Sequence, residues 1–477
     1  MFLFAGQNHV LSSDMAKEFN IRYILSISMV AALGGLLFGY DWVVIGGGKF
    51  FYERFFGITE LPGRQAWAMS SALIGCIPGA MFSGYLSEKF GRKISLISSA
   101  LLFTLSAIGT GFAGNYGIFM AYRIIGGIGI GVASCISPVY IAEVSPKKMR
   151  GKFVSLNQLT IVTGILLAQI INFIIAEKVP EYATNQQILN SWNGQMGWRW
   201  MFWAEIIPAF MFFILAFLIP ESPRWLTKIN KRERALSVLR KIGGESYATE
   251  VENDIQHTLQ DTTGRMDVKS LLNKGVRPIL IIGFVLAAFQ QWCGINIVFN
   301  YAEEVFTSAG FGISSSLFNI IITGTVNLMF TFVAIRTVDG WGRRKLMLFG
   351  SLGLAITYLT LGISYSIGSS GYIVLFIIVL AIAIYAMSLA PITWVILSEI
   401  FPNRIRGAAM AAATSILWIA STLLVLLFPF IKKAINISGA FWIYAAICAA
   451  GFYFIKSRLP ETKGKSLEEV EREMLKN

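Results

Sequence analysis

Residues 24–45 read ILSISMVAALGGLLFGYDWVVI, a proline-free run with a single charge, Asp41. An α-helix needs about 20 apolar residues to cross roughly 30 Å of hydrocarbon, so this run is long enough to span a membrane. A carboxylate inside such a span costs roughly 2.5–3.5 kcal/mol on insertion scales. Gly39-Tyr40-Asp41 therefore marks a place where a penalty is tolerated for a chemical purpose, and the other spans are read as serving it.

The same texture continues along the chain. Of 477 residues, 55% are hydrophobic and only 14% are charged, where a soluble domain carries about 25% charged residues. Mean hydropathy is +0.62. Twelve apolar runs stand at about 23–45, 66–87, 94–113, 117–141, 153–176, 198–219, 278–302, 315–337, 346–366, 372–397, 408–431 and 438–457. No alternating ten-residue segments of a β-barrel are present. The expected fold class is an all-α membrane protein with twelve transmembrane helices. The segments expected are an N-terminal tail (1–22), a first half (23–220), a linker (221–277), a second half (278–458) and a C-terminal tail (459–477). Within the linker, Lys231–Lys241 and Glu250–Gln260 read as short amphipathic surface helices.

The net charge of +13 does not point to nucleic acid, because Lys and Arg fall in short clusters between apolar runs. Lys89/Arg92/Lys93, Lys147/Lys148/Arg150/Lys152, Arg343/Arg344/Lys345 and Arg404/Arg406 share one side with both termini and the linker. The opposite loops hold few basic residues: Lys49, Arg54, Arg64, Lys178 and Lys432–Lys433. By the positive-inside rule both termini are cytoplasmic, in the plasma membrane, which for a bacterium is the inner membrane. Met1–Asn20 lacks the basic region and long apolar core of a signal peptide, so the first span is expected to act as the insertion signal. Cys76, Cys135, Cys293 and Cys448 all sit in apolar runs and read as small buried hydrophobes. His9 and His257 lie outside the spans.

Three motifs recur in order. Phe90-Gly91-Arg92-Lys93 returns as Trp341-Gly342-Arg343-Arg344-Lys345; Ala142-Glu143 with Arg150-Gly151 returns as Ser398-Glu399 with Arg406-Gly407; Pro220-Glu221-Ser222-Pro223-Arg224 returns as Pro460-Glu461-Thr462-Lys463-Gly464. Such a repeat implies two related six-helix halves with a substrate site between them.

The ordered set GYD, FGRK, YIAEVSPKKMRG, PESPRW, QQWCGIN, VDGWGRRK, SEIFPNRIRG and PETKGKSLEE resembles the major facilitator superfamily and, within it, the sugar porter family. The likeness runs from Gly34 to about Glu469 and is strongest to bacterial proton-coupled pentose and hexose symporters of the xylose type. It implies two pseudo-symmetric halves and import of a monosaccharide with protons by alternating access, in a monomer within the lipid bilayer, without cofactor or metal. A sugar uniporter and a polyol symporter are the alternatives. Gly126-Gly127-Ile128-Gly129-Ile130-Gly131 superficially matches a dinucleotide fingerprint, but it lies inside a span and reads as close helix packing. With no nucleophile triad, metal cluster or phosphate loop in the sequence, an enzyme is not expected.

Three groups of residues carry the expected activity. Arg92, Arg150, Arg343 and Arg406 stand just beyond helix ends and face Glu143, Glu221, Glu399 and Glu461, with Arg224 nearby; charge-assisted bonds among them are expected to form a cytoplasmic gate. Asp41, Arg123 and Glu205 are the ionisable residues well inside the first half's spans, and a buried carboxylate needs a cation. The resemblance matches Asp41 to a proton-accepting aspartate, Arg123 to its partner and Glu205 to a supporting carboxylate. The second half carries uncharged donors and acceptors: Gln290, Gln291, Asn296, Asn300, Asn327, Trp394 and Trp418, with Phe38 and Gln169 from the first half. Amides meet sugar hydroxyls as donor and acceptor, and aromatic faces stack on C–H faces. At about 100° per residue, Gln291 and Asn296 would point roughly 140° apart on a straight helix, so a break at Gly294 is expected. Against the family pattern, Asn300 replaces a tyrosine, Leu417 an amide, Ala390 a glycine and Trp42 a threonine; Gln169 matches the glucose facilitators, and the xylose-type position one turn earlier holds Ile165. Which sugar is carried stays open at this point.

Overall fold

The computed structural model describes residues 19–181, 183–261, 277–369, 371–401 and 405–463, and these contain helices and no β-strand. Eleven helices among them are long and apolar enough to cross a membrane. Ten are single crossings: α1 (Ile21–Phe55), α2 (Pro62–Phe90), α3 (Arg92–Phe112), α4 (Tyr116–Val144), α5 (Arg150–Ile175), α6 (Asn193–Leu218), α7 (Arg277–Asn300), α8 (Ile313–Thr337), α9 (Arg343–Ser366) and α10 (Gly371–Ile400). The eleventh, Ala408–Arg458, would be roughly 75 Å long if straight, over twice the hydrocarbon thickness. Its backbone leaves helical geometry at Ile435 and Asn436, where Asn436 has φ 57°. Residues 408–434 are thus α11 and 437–458 are α12. The result is twelve crossings in two pseudo-symmetric halves, α1–α6 and α7–α12.

Local chemistry sets several helix ends. Asn20 caps α1 by accepting from the Tyr23 N–H at 3.1 Å, and Asn115 caps α4 by accepting from Ile118 at 2.9 Å. Between α2 and α3 the reversal is a single residue, Gly91 with φ 92°, and between α8 and α9 it is Gly342 with φ 90°. Side chains rarely adopt that region, which is why glycine holds both corners.

One boundary differs from the sequence expectation in a way that matters. The first run was expected to end near 45, with Lys49 in a loop, whereas α1 continues to Phe55. Gly46-Gly47-Gly48 look like a breaker, since each glycine costs about 1 kcal/mol in a helix. Here they permit close approach: Gly47 abuts the Asn172 side chain, whose Nδ2 donates to the Val44 carbonyl at 3.2 Å, and a Cβ on Gly46 would stand 3.2 Å from the Asn300 carbonyl oxygen. Packing overrides propensity, and Lys49 and Glu53 are carried into a buried helical segment.

The glycine run in α4 serves the same end. Gly127 and Gly131 lie against the Ala72 and Cys76 carbonyls of α2, leaving no room for a Cβ. The two halves meet where α2 packs on α11 and where α5 packs on α8. Between α6 and α7, helices Pro223–Lys228 and Arg232–Asp261 lie on the face that holds Asn20 and Leu459, called here the terminal face. The longer one leaves helical geometry at Gly243 and Gly244, so it is two helices meeting at a kink, in the place of the two expected amphipathic helices. It is tied to the bundle by Asn20 N–H on the Ile242 carbonyl at 2.8 Å and by Lys147–Asp254 at 2.6 Å.

Candidate functional site

Midway along α1, Asp41 is 1% exposed and Arg123 of α4 is also 1% exposed. They form an ion pair, and Arg123 Nη2 also donates to the Asp41 backbone carbonyl at 3.2 Å. The guanidinium carbon lies 5.5 Å from the Phe202 ring centre, so the cation is held by charge on one side and by an aromatic face on the other. Gly126 leaves room for the carboxylate, since a Cβ there would stand 3.2 Å from Asp41 Oδ2. That oxygen accepts no hydrogen bond among the described residues. Glu205 is 2% exposed, sits at a break in α6 between Trp203 and Ile206, and its Oε1 likewise lacks a donor among the described residues. Three ionisable groups thus share a dry interior with spare acceptor capacity, an arrangement suited to taking up a proton.

Across the interface, α7 is interrupted where the sequence places its break. Helix Arg277–Trp292 ends, Gly294 adopts φ 92°, and Ile295–Asn300 begins. The corner brings Asn296 back toward Gln291: Asn296 Nδ2 donates to Gln291 Oε1 at 2.5 Å, and Gln291 in turn donates to Gln290 Oε1. Gln290 Nε2 donates to the Tyr385 hydroxyl of α10 at 2.8 Å. The chain of amides is buried and self-satisfied, ready to exchange these bonds for those of a polyhydroxyl ligand. Asn327 is buried too, whereas Trp394 is half-buried. Asn300 instead donates to its own helix at the Asn296 carbonyl, 2.9 Å away. Gln169 lies against Gly324 of α8 at the meeting of the halves, and its Oε1 has no donor among the described residues.

Aromatic rings bridge the halves between these two regions. Phe38 and Trp42 of α1 and Trp418 of α11 form a triangle with ring centres 5.6, 5.5 and 5.8 Å apart. The Trp418 indole N–H is buried and has no acceptor among the described residues. Sequence reading named Phe38 and Trp418 and singled out Trp42 as a departure from the family pattern, but it missed Tyr385; a tyrosine in an apolar run carries no periodic signal that separates a site hydroxyl from core.

At the terminal face the repeated motifs build the same structure twice. Arg92 pairs with Glu143 at 2.9 Å, and Ser222 Oγ donates to Glu143 at 2.5 Å. Glu221 accepts from the Arg92 and Lys93 N–H groups at 2.9 and 3.2 Å, at the start of α3. In the second half Arg343 pairs with Glu399 at 3.3 Å, Thr462 donates to Glu399 at 2.6 Å, and Glu461 accepts from Arg343 and Arg344 N–H at 2.9 and 3.2 Å. Burial pushes the Glu221 carboxyl above its ordinary value, against the lowering effect of its bonds from Ser222, Lys93 and Arg92. Arg150 donates to the Ala142 carbonyl at 3.1 Å and Arg224 is exposed; the Arg406 side chain lies outside the described residues. The pairs described join helices of one half, so in this arrangement they brace each half internally.

A twelve-helix bundle with polar groups converging at the meeting of two related halves is the architecture of a membrane carrier. The chain belongs to the family described as "Sugar (and other) transporter", whose model matches residues 27–474. It is 41% identical over 487 residues to the D-xylose-proton symporter of Escherichia coli K12, covering 96% of this chain and 97% of that one. It is 39% identical over 471 residues to the glucose transport protein of Synechocystis, covering 96% and 99%. The inward-open structure of the xylose transporter XylE from E. coli superposes with TM-score 0.82 at 39% identity, covering 94% of this chain and 99% of that one.

Proposed function

We propose that the chain is a sugar–proton symporter that imports a monosaccharide by alternating access. The observation that carries this reading is the buried Asp41–Arg123 pair, with Glu205 beside it, set in the half opposite a run of uncharged amides. The charged interior serves the proton, and Gln290, Gln291, Asn296, Asn327, Trp394 and Trp418, with Phe38 and Gln169, serve the sugar. Asn300 completes the set by holding the short helix after Gly294. Support comes from the relatives above, one of them a sugar–proton symporter by name.

Burial raises a carboxyl's proton affinity and a nearby guanidinium lowers it. Rocking of the halves (23–220 against 278–458) that alters the Arg123–Asp41 contact therefore alternates proton affinity with access. The uneven distribution of Lys and Arg puts the terminal face in the cytoplasm and the opposite face outside, in a bacterial inner membrane. The protein works as a monomer in the bilayer, and Arg92, Glu143, Arg150, Glu221, Arg224, Arg343, Glu399, Arg406 and Glu461 brace and gate its cytoplasmic side. The decisive variant is Asp41→Asn: proton-driven accumulation should vanish while sugar counterflow persists. Intact accumulation would reject the assignment. A facilitator is the second reading, favoured by Gln169 at the facilitator position; there the variant leaves uptake unchanged, and adding sugar to de-energised cells causes no alkalinisation. Competition of labelled xylose or glucose uptake by a panel of sugars and polyols identifies the substrate.

A further inference from the structure

Five charged side chains meet on the face opposite the termini, away from the residues assigned above. Lys49 of α1 is 2% exposed, and its Nζ lies 3.2 Å from Glu53 Oε1, 3.0 Å from Glu303 Oε2 and 2.8 Å from Glu304 Oε1. Lys432 at the end of α11 approaches Glu304 Oε2 at 2.6 Å. Gln65 donates to Glu53 at 3.0 Å, and Lys49 Nζ stands 5.9 Å from the Tyr301 ring centre. Glu303 and Glu304 lie on the short helix Ala302–Ser308, which continues α7. Lys49 is thus a first-half cation buried against two second-half carboxylates. A third bond between the halves, Val179 N–H to Ser314 Oγ at 3.1 Å, lies on the same face.

The partition of partners is informative. If the halves part here, Lys49 keeps Glu53 one helical turn away, and Glu304 keeps Lys432. Of the three carboxylates only Glu303, the least buried of them, gives up its cation, so much of the desolvation penalty that makes broken buried pairs so costly is avoided. While the halves are together, burial acts to raise the Glu304 carboxyl, but Lys49 and Lys432 outweigh it and hold it below its ordinary value, so it stays ionised.

We propose that Lys49 is a positioning residue of the transport cycle: the reversible tie that holds the outer side shut by bridging α1 to the helix after α7. The proposal rests on the alternating-access reading, but its distance measurement does not depend on the substrate. Spin labels at Leu61→Cys and Ile367→Cys, both exposed and on this face, report the separation of the halves by pulsed electron resonance in reconstituted protein. Lys49→Gln should move the open-to-closed ratio toward the longer distance by about tenfold or more, and Lys49→Arg should leave the distribution close to wild type. Sugar affinity from the outer side should rise in Lys49→Gln while maximal transport rate falls, a split that a merely structural lysine would not give. If Lys49→Gln alone does not reach the membrane, Lys49→Gln with Glu303→Gln, which removes a carboxylate paired through Lys49 along with the cation, carries the same expectation. A folded variant of either kind with the wild-type distance distribution overturns the proposal.

Discussion

The two halves are alike at the terminal face and unlike in the interior. At the terminal face each has a glycine corner, an arginine on a carboxylate (2.9 Å in the first half, 3.3 Å in the second), a hydroxyl on that carboxylate, and a second carboxylate across the start of the following helix. In the interior the first half buries Asp41, Arg123 and Glu205, while the second buries Gln290, Gln291, Asn296 and Asn327. Repeated scaffold with divergent interiors is what the proposed division between a proton site and a sugar site requires: the same frame would hold two chemistries that would interfere if mixed. A charge near the amides would bias them toward ionic ligands, and an amide in place of Arg123 would leave Asp41 without a counterion.

The contrast can be broken most severely at Arg123. Arg123→Leu leaves a buried carboxylate unpaired and should destabilise the protein by about 3–5 kcal/mol, read as a drop in thermal unfolding temperature in detergent; adding Asp41→Asn should restore most of it. An Arg123→Leu variant as stable as wild type would mean the pair is not what holds α1 to α4. In the second half the loss should be in binding rather than in stability. On the proposed assignment Gln291→Ala removes one sugar hydrogen bond along with the partner of Asn296, at about 1–3 kcal/mol, seen as a rise in KM for sugar by about tenfold or more with coupling to protons retained. Loss of coupling in that variant would show that the labour is not divided. The smallest effect belongs to the shared frame. Arg343→Gln, in the more exposed pair, should cost about 1 kcal/mol, and Arg92→Gln, in the more buried pair, about 2–3 kcal/mol. A larger asymmetry between them would show that the repeat is no longer functionally equivalent.

Much of this was readable before any coordinates, because the signals are local. The crossings follow from hydropathy, the repeat from short motifs whose glycines and arginines act within one helix end, and the α7 break from two amides that a straight helix would separate. Asp41 and Arg123 could be paired because the chain offers so few buried charges. Lys49 was not readable in this way. It follows three glycines that resemble a turn, and its carboxylate partners Glu303 and Glu304 lie some 250 residues further along the chain. Only the packing of those glycines against α5 and α7 turns an expected loop lysine into a buried one. Tyr385 was hidden for a related reason: in a chain this rich in aromatics, a ring at the site looks like a ring in the core, and Trp42 stood out only against the family pattern.

The corner at Ile435 and Asn436 has a practical consequence for anyone probing this protein from the face opposite the termini. With α11 turning into α12 through two residues, that connection offers no slack for a protease to grip, an antibody to recognise or a tag to occupy, and an insertion there would have to unwind a helix at both ends. The connection between α5 and α6, where Thr184 caps the short helix Asn185–Asn190, is the roomier target for an epitope or a fluorophore.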